Sequence, residues 1–321
     1  MPLIDMSLEQ LKEYRGRNPK PDDFEEYWDT AIEEMKATDP NVEIIKNSLE
    51  TPIVDCYNMY FDGVRNGRIH AKLLKPKNIK EKAPAILFFH GYSGSSDDFM
   101  SYLNYAASGY IVAAMDCRGQ AGRSTDMNPI SGNTYRGHII RGLDDSDSAN
   151  MYFRNVFLDT AMLARIVMDM EDVDEKRVAA QGVSQGGALT VACAALTPEL
   201  KLAITHFPFL SDYKRVWEMD LTDKVYVEIK TYFRDYDPMH EREEEIFKKL
   251  GYIDIQHLAS RIKAEVMFFT GLMDDACPPS TQFAVYNKIK SKKSMLIYPD
   301  FGHEILKDSS DKVGEKIFKS L

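Results

Sequence analysis

Apolar residues recur along this chain at two periods, and the places where one period gives way to the other outline its architecture. Ser7 and Gln10 have the spacing of a capping box, which predicts a helix start close to the N-terminus. Beyond Pro21, the residues Phe24, Tyr27, Trp28, Ala31, Ile32 and Met35 return at helical spacing with acidic residues between them. One face of that helix should therefore pack on the rest of the protein. Residues 1–50 as a whole read as an N-terminal helical extension. Strand-like alternation follows at 56–61 and 69–74, and Asn66-Gly67 supplies a hairpin turn between them.

From there short apolar runs alternate with helical segments. Buried strands are expected at 85–89, 110–115, 178–182, 202–205, 266–270 and 295–298. Helices are expected at 99–107, 155–170, 185–196, 281–289 and the C-terminus. Such alternation predicts an α/β fold, a mainly parallel central sheet flanked by helices on both faces. Two stretches break the rhythm. Residues 119–149 are rich in Gly, Asn, Arg and Asp and read as a long loop. Residues 207–259 form an insertion with Trp217, Tyr226, Tyr232, Phe233 and Tyr236 beside an acidic run at 241–245. Insertions of this size are usually lids or interfaces. No repeat or linker marks a second domain, so the expectation is one domain over 1–321.

Composition narrows the class. With 321 residues and 44% hydrophobic content the chain can bury a substantial core. A formal charge of -10 argues against nucleic acid and anionic membranes as partners, since phosphate binding needs basic surface. Cys56, Cys117, Cys193 and Cys277 are scattered and form no C-x-x-C pair, which suits a reducing compartment rather than a disulfide framework or metal site. Residues 1–14 carry Asp5, Glu9 and Glu13 without an apolar core of a signal peptide, and no run of about 18 apolar residues occurs. The expectation is a soluble, cytoplasmic protein.

The chemistry concentrates at Gly182-Val183-Ser184-Gln185-Gly186, between an apolar strand and an apolar helix. A serine on a sharp strand-to-helix turn needs small residues two positions to either side, and its hydroxyl then projects beyond the strand end. This is the nucleophile elbow of the α/β-hydrolase fold. A serine hydroxyl needs a base, and the fold's order of Ser, acid and His leaves His240, His257 and His303 downstream. His303 stands after the last apolar strand and before the terminal helix, which selects it. The acid should follow the strand at 266–270, where Asp274 and Asp275 both qualify. Two oxyanion donors are required. The backbone N–H of Gln185 is one, and His90-Gly91-Tyr92, leaving the strand at 85–89, offers the N–H of Tyr92 as the other. His90 then braces the loop.

These residues resemble carbohydrate esterase family 7, the acetyl xylan esterase and cephalosporin C deacetylase group. The likeness rests on Arg118-Gly119-Gln120, Gly182-Val183-Ser184-Gln185-Gly186 and His303-Glu304. Gly271-Leu272-Met273-Asp274 and Pro278-Pro279-Ser280-Thr281 also look like that family's acid loop. The resemblance runs over essentially the whole chain. It implies Asp274 as the triad acid, with Ser184 as nucleophile and His303 as base. It further implies a serine esterase that removes acetyl groups from acetylated xylo-oligosaccharides and related small esters, cephalosporin C included, through an acetyl-enzyme. No metal or organic cofactor enters such a mechanism. The resemblance also implies a homohexamer with residues 119–149 at a subunit contact, Arg118 and Gln120 bracing loops, and Tyr92 with the insertion lining the substrate site.

Overall fold

A computed structural model of the chain describes residues 4–128, 137–222 and 224–321. The capping box forms: Ser7 Oγ accepts the Gln10 N–H at 3.3 Å, and Gln10 Oε1 accepts the Ser7 N–H at 3.0 Å. It opens α1 (Leu8–Glu13). Helix α2 (Phe24–Ala37) buries Phe24, Trp28, Ala31 and Met35, the stripe expected from their spacing.

The helical reading of residues 1–50 fails at its end. Glu43–Glu50 is a strand, β1, largely exposed and paired antiparallel with β2 (Val54–Gly63). Its segment Glu-Ile-Ile-Lys-Asn-Ser-Leu-Glu has no decisive period of its own, so pairing with the β2 edge decides its state. β2 pairs with β3 (Gly67–Pro76) in continuous register from Val54↔Pro76 to Gly63↔Gly67. The hairpin loop is therefore Val64-Arg65-Asn66, not a turn centred on Asn66-Gly67. Arg65 and Asn66 take φ of 52° and 61°, and Arg65 is anchored by Glu34 at 3.0 Å and Asn150 at 2.6 Å. Gly67 serves the strand instead, because a Cβ there would strike the Arg118 guanidinium.

The parallel part of the sheet follows. β4 (Ala83–Phe89), α3 (Phe99–Ala107), β5 (Ile111–Met115) and the two-residue β6 (Thr125–Asp126) precede α4 (Tyr152–Met168) and β7 (Val173–Val183). Then come α5 (Gln185–Leu196) and β8 (Leu202–His206). The insertion supplies α6 (Tyr213–Glu218), α7 (Val227–Tyr236), α8 (Glu243–Leu250) and α9 (Ile255–Leu258). The chain closes with β9 (Glu265–Gly271), α10 (Pro279–Lys288), β10 (Lys293–Tyr298) and α11 (Ser309–Ser320). The strands lie in the order β1-β2-β3-β5-β4-β7-β8-β9-β10, with β6 beside β3. β5, β4 and β7 to β10 run parallel, and β1, β2 and β3 form an antiparallel wing. β10, expected to be buried, is a half-exposed edge strand.

Strand alternation divides the core. Ala85, Leu87 and Phe89 of β4 face Trp28 of α2, Val156 and Phe157 of α4 and Leu189 of α5. Ile86 turns the other way, into a cluster with Val313 and Ile317 of α11. Helices thus cover both faces. From β4 the chain moves outward to β5 and then returns to β7 on the opposite side of β4. Such a reversal opens a crevice at the carboxyl end of the sheet, where ligands of open α/β sheets bind. The loops after β4 and β7 both enter it.

Residues 119–149 hold only β6 and a short helical turn at Ser148–Asn150 among their described residues, and part of that loop, 129–136, lies outside them. Among the described residues no helix is long and apolar enough to cross a membrane.

Candidate active site

Ser184 sits between β7 and α5 with φ 59° and ψ -118°, a conformation a β-carbon disfavours. The turn survives because its flanks are glycine. A Cβ at Gly182 would collide with the Gly186 carbonyl, and one at Gly186 with the Phe89 carbonyl of β4. The backbone of Ser184 is pinned on both sides. Its N–H donates to His206 O at 3.0 Å, and its carbonyl accepts the N–H groups of Ala188 at 3.0 Å and Phe209 at 3.1 Å.

His303 arrives on the loop between β10 and α11 and packs against the Phe207 ring at 4.5 Å. Its Nε2 lies 2.9 Å from Ser184 Oγ and its Nδ1 lies 2.9 Å from Asp274 Oδ2. Asp274, on the loop after β9, is fully buried. Its Oδ1 accepts the N–H groups of Ala276 at 3.0 Å and Cys277 at 2.8 Å, and Gln282 Nε2 donates to Oδ2 at 3.2 Å. Donors therefore hold this carboxylate with an oxygen turned to the imidazole. Asp275 points elsewhere, into an exposed ion pair with Lys224. Geometry thus separates two neighbours that spacing alone barely distinguished, on the side of Asp274, the residue that the family resemblance implies. With Asp274 on Nδ1–H, the Nε2 lone pair is free to accept the serine proton.

The N–H of Gln185, at the first position of α5, has no intrahelical acceptor. The N–H of Tyr92 has no backbone acceptor among the described residues. The loop carrying Tyr92 is braced by His90, whose Nε2 accepts the Cys117 N–H at 2.9 Å while Nδ1 meets Gly91 O at 2.7 Å. Burial holds the His90 imidazole below its usual pKa, consistent with a neutral bracing ring. Of the other downstream histidines, His240 lies near Glu243 on the insertion and His257 is buried against Phe24. Neither reaches Ser184.

Arg118 is completely buried and donates to both oxygens of Asp159, at 2.7 and 2.6 Å, and to Val64 O at 3.0 Å. Gln120 reaches the Gln185 side chain. The phenol of Tyr92 donates to Glu228 of α7. Beside His303 a cavity of about 690 Å³ opens, lined by His90, Gly91, Gly182, Val183 and Phe207. Glu228 and Gln282 go unmarked in the sequence, and Cys277 enters there only as one of four scattered cysteines. Gln282 lies one residue beyond Pro278-Pro279-Ser280-Thr281, while Glu228 looks like any charged residue of an amphipathic helix.

A protein-family model described as acetyl xylan esterase (AXE1) matches residues 1–319. The chain belongs to the acetyl xylan esterase family. It is accordingly a carboxylic ester hydrolase of α/β-hydrolase type. It is 53% identical to acetyl xylan esterase 1 from Thermoanaerobacterium sp. JW/SL YS485, with a TM-score of 0.97 over 98% of this chain and 99% of that one. It is 33% identical to the acetyl xylan esterase from Paenibacillus sp. R4, with a TM-score of 0.93 over 98% of this chain and 100% of the other. Acetyl esterase Axe7A of Xylanibacter ruminicola is 29% identical over 302 residues, 92% of this chain. The chain spans 66% of that relative's length.

Proposed function

We propose that this family member is a serine esterase acting on acetylated xylo-oligosaccharides and related small esters, cephalosporin C among them, through an acetyl-enzyme. The observation that carries the reading is the series Ser184 Oγ, His303 and Asp274, each link 2.9 Å. Ser184 attacks the acetyl carbonyl while His303 Nε2 takes its proton. The N–H groups of Tyr92 and Gln185 receive the oxyanion, and His303 returns the proton to the departing alcohol. Water deprotonated by the same imidazole then releases acetate and regenerates Ser184. Asp274 orients His303 and stabilises its cation without taking the proton.

The relatives named as acetyl xylan esterases and acetyl esterase support the choice of acyl group. The test is acetate release from acetylated xylo-oligosaccharides and cephalosporin C by the wild-type and Ser184→Ala proteins, with an aminoacyl amide alongside. Undiminished deacetylation by Ser184→Ala rejects the nucleophile. Faster cleavage of the amide than of any acetyl ester rejects the substrate class.

The same reading includes a homohexamer with residues 119–149 at a subunit contact, supported by the family resemblance. Light scattering on the purified protein tests it, and a monomer rejects it. A cytoplasmic location is supported by the four cysteines, all buried and unpaired. Fractionation of the native host, with recovery in the secreted fraction, would reject it.

A further inference from the structure

The turn that carries the Tyr92 N–H has little conformational preference of its own. Gly91 precedes Tyr92, Ser93 follows with φ 56°, and Gly94 comes next. The Tyr92 peptide is held on its carbonyl side, where Gly91 O meets His90 Nδ1 at 2.7 Å and accepts the Gly94 N–H at 3.2 Å. With glycine on either side of the Tyr92-Ser93 pair the backbone is otherwise permissive, so a second hold on Tyr92 itself bears on the direction of its N–H. The candidate is the side chain. Its ring is wedged between Phe209 at 5.2 Å and His138 at 5.4 Å. Its hydroxyl donates to Glu228 and accepts the His138 N–H at 2.8 Å.

Glu228 lies on the insertion helix α7 and is 3% exposed. Besides the Tyr92 hydroxyl it takes the N–H groups of Ile139 at 2.5 Å and Ile140 at 3.2 Å, both on Oε2. Gly137, at φ 77°, is packed so tightly on this carboxyl group that a Cβ would enter it. Three segments distant in sequence therefore converge on one side chain: the turn after β4, residues 137–140, and α7. No cation among the described residues pairs with it, and burial lifts its carboxyl to about 7. A buried acid without a cation contributes little to stability that an apolar contact would not. What it does supply is direction, since hydrogen bonds fix orientation and apolar contacts do not.

We propose that Glu228 is a positioning residue for the oxyanion hole, aiming the Tyr92 backbone N–H at the reacting carbonyl by holding the Tyr92 hydroxyl. The inference rests on the reading of Tyr92 and Gln185 as oxyanion donors. Glu228 acts through Tyr92 and touches neither Ser184 nor His303.

The test compares wild-type, Glu228→Gln, Tyr92→Phe and the double variant in steady-state hydrolysis of p-nitrophenyl acetate, with thermal unfolding followed by circular dichroism. An interaction realised in the transition state lowers kcat and leaves KM alone. The expected result is a fall in kcat of about 10-fold or more for each single variant, with KM within about 2-fold. The double variant should lose no more than the worse single, because both remove one link. A folded Glu228→Gln protein with wild-type kcat overturns the proposal, as does a raised KM at unchanged kcat. Additive losses in the double variant overturn it too. If Glu228→Gln fails to fold, Tyr92→Phe carries the same thresholds. Undiminished hydrolysis by Ser184→Ala would identify the underlying reading as the part at fault, and the inference falls with it.

Discussion

Gln120 and Gln185 hold each other through two amide hydrogen bonds, Gln120 Nε2 to Gln185 Oε1 at 2.8 Å and Gln185 Nε2 to Gln120 Oε1 at 3.1 Å. The pair ties the loop after β5 to the first residue of α5. Gln120 also donates to the Tyr152 hydroxyl at 3.1 Å, and that hydroxyl donates to Arg118 O at 2.5 Å. Gln120→Leu leaves the buried Gln185 amide short of partners, which costs about 1–3 kcal/mol. Urea denaturation should show that loss. Acetyl-ester kcat should fall with it, because the Gln185 peptide is no longer held from the side.

Asp274 and Asp275 are neighbours with opposite surroundings, so their asparagine variants should part company. Asp274→Asn presents the wrong hydrogen-bonding group to His303 Nδ1, and kcat should drop on the order of 10⁴-fold. Asp275→Asn removes only an exposed partner of Lys224, and activity should stay within about 2-fold. Parallel kinetics on the two purified variants decide the matter.

Gly186 and Gly91 offer a steric contrast. A methyl at Gly186 meets the backbone carbonyl of Phe89, whereas one at Gly91 meets nothing within 4 Å. Gly186→Ala should lower stability by several kcal/mol, seen as a lower unfolding midpoint and loss of organophosphonate labelling at Ser184. Gly91→Ala should unfold within about 0.5 kcal/mol of wild type.

His257 is buried in α9 with an unpartnered Nε2, and burial holds its pKa down to about 3. The unfolded chain protonates this imidazole near 6.5 and the folded protein only near 3. Folding therefore excludes a proton between those values, and stability is lost progressively as pH falls from about 6.5 to about 3, by about 1.4 kcal/mol per pH unit at most. His257→Gln should flatten that part of the profile relative to wild type. Guanidinium melts at pH 7, 5.5 and 4.5 measure it; identical pH slopes for the two proteins would contradict the assignment.

Much of the fold and of the site is legible in the sequence. Local signals sufficed where a segment decides its own structure. The Ser7–Gln10 capping box, the α2 stripe and the elbow between β7 and α5 are all of that kind. The misread parts have tertiary causes. β1 becomes a strand because β2 offers it an edge. The hairpin loop moves one residue because Gly67 must pass close to Arg118. Asp274, picked out by the family resemblance, was not misread, though the donors that set it apart from Asp275 come from the folded loop. Glu228 was invisible for the same reason. Nothing in Val227–Tyr236 hints that its one buried acid will meet a tyrosine 136 residues earlier.

The hydrogen bond between Ser184 and His303 spans 119 residues of chain. During synthesis at roughly 5–20 residues per second, the serine leads its base by about 6–24 s. Throughout that interval the strained turn can form, yet the hydroxyl has no group to take its proton. On the proposed mechanism a nascent chain is thus chemically silent until nearly all of the sheet has been made, and its esterase chemistry switches on only with the last strand and the loop behind it.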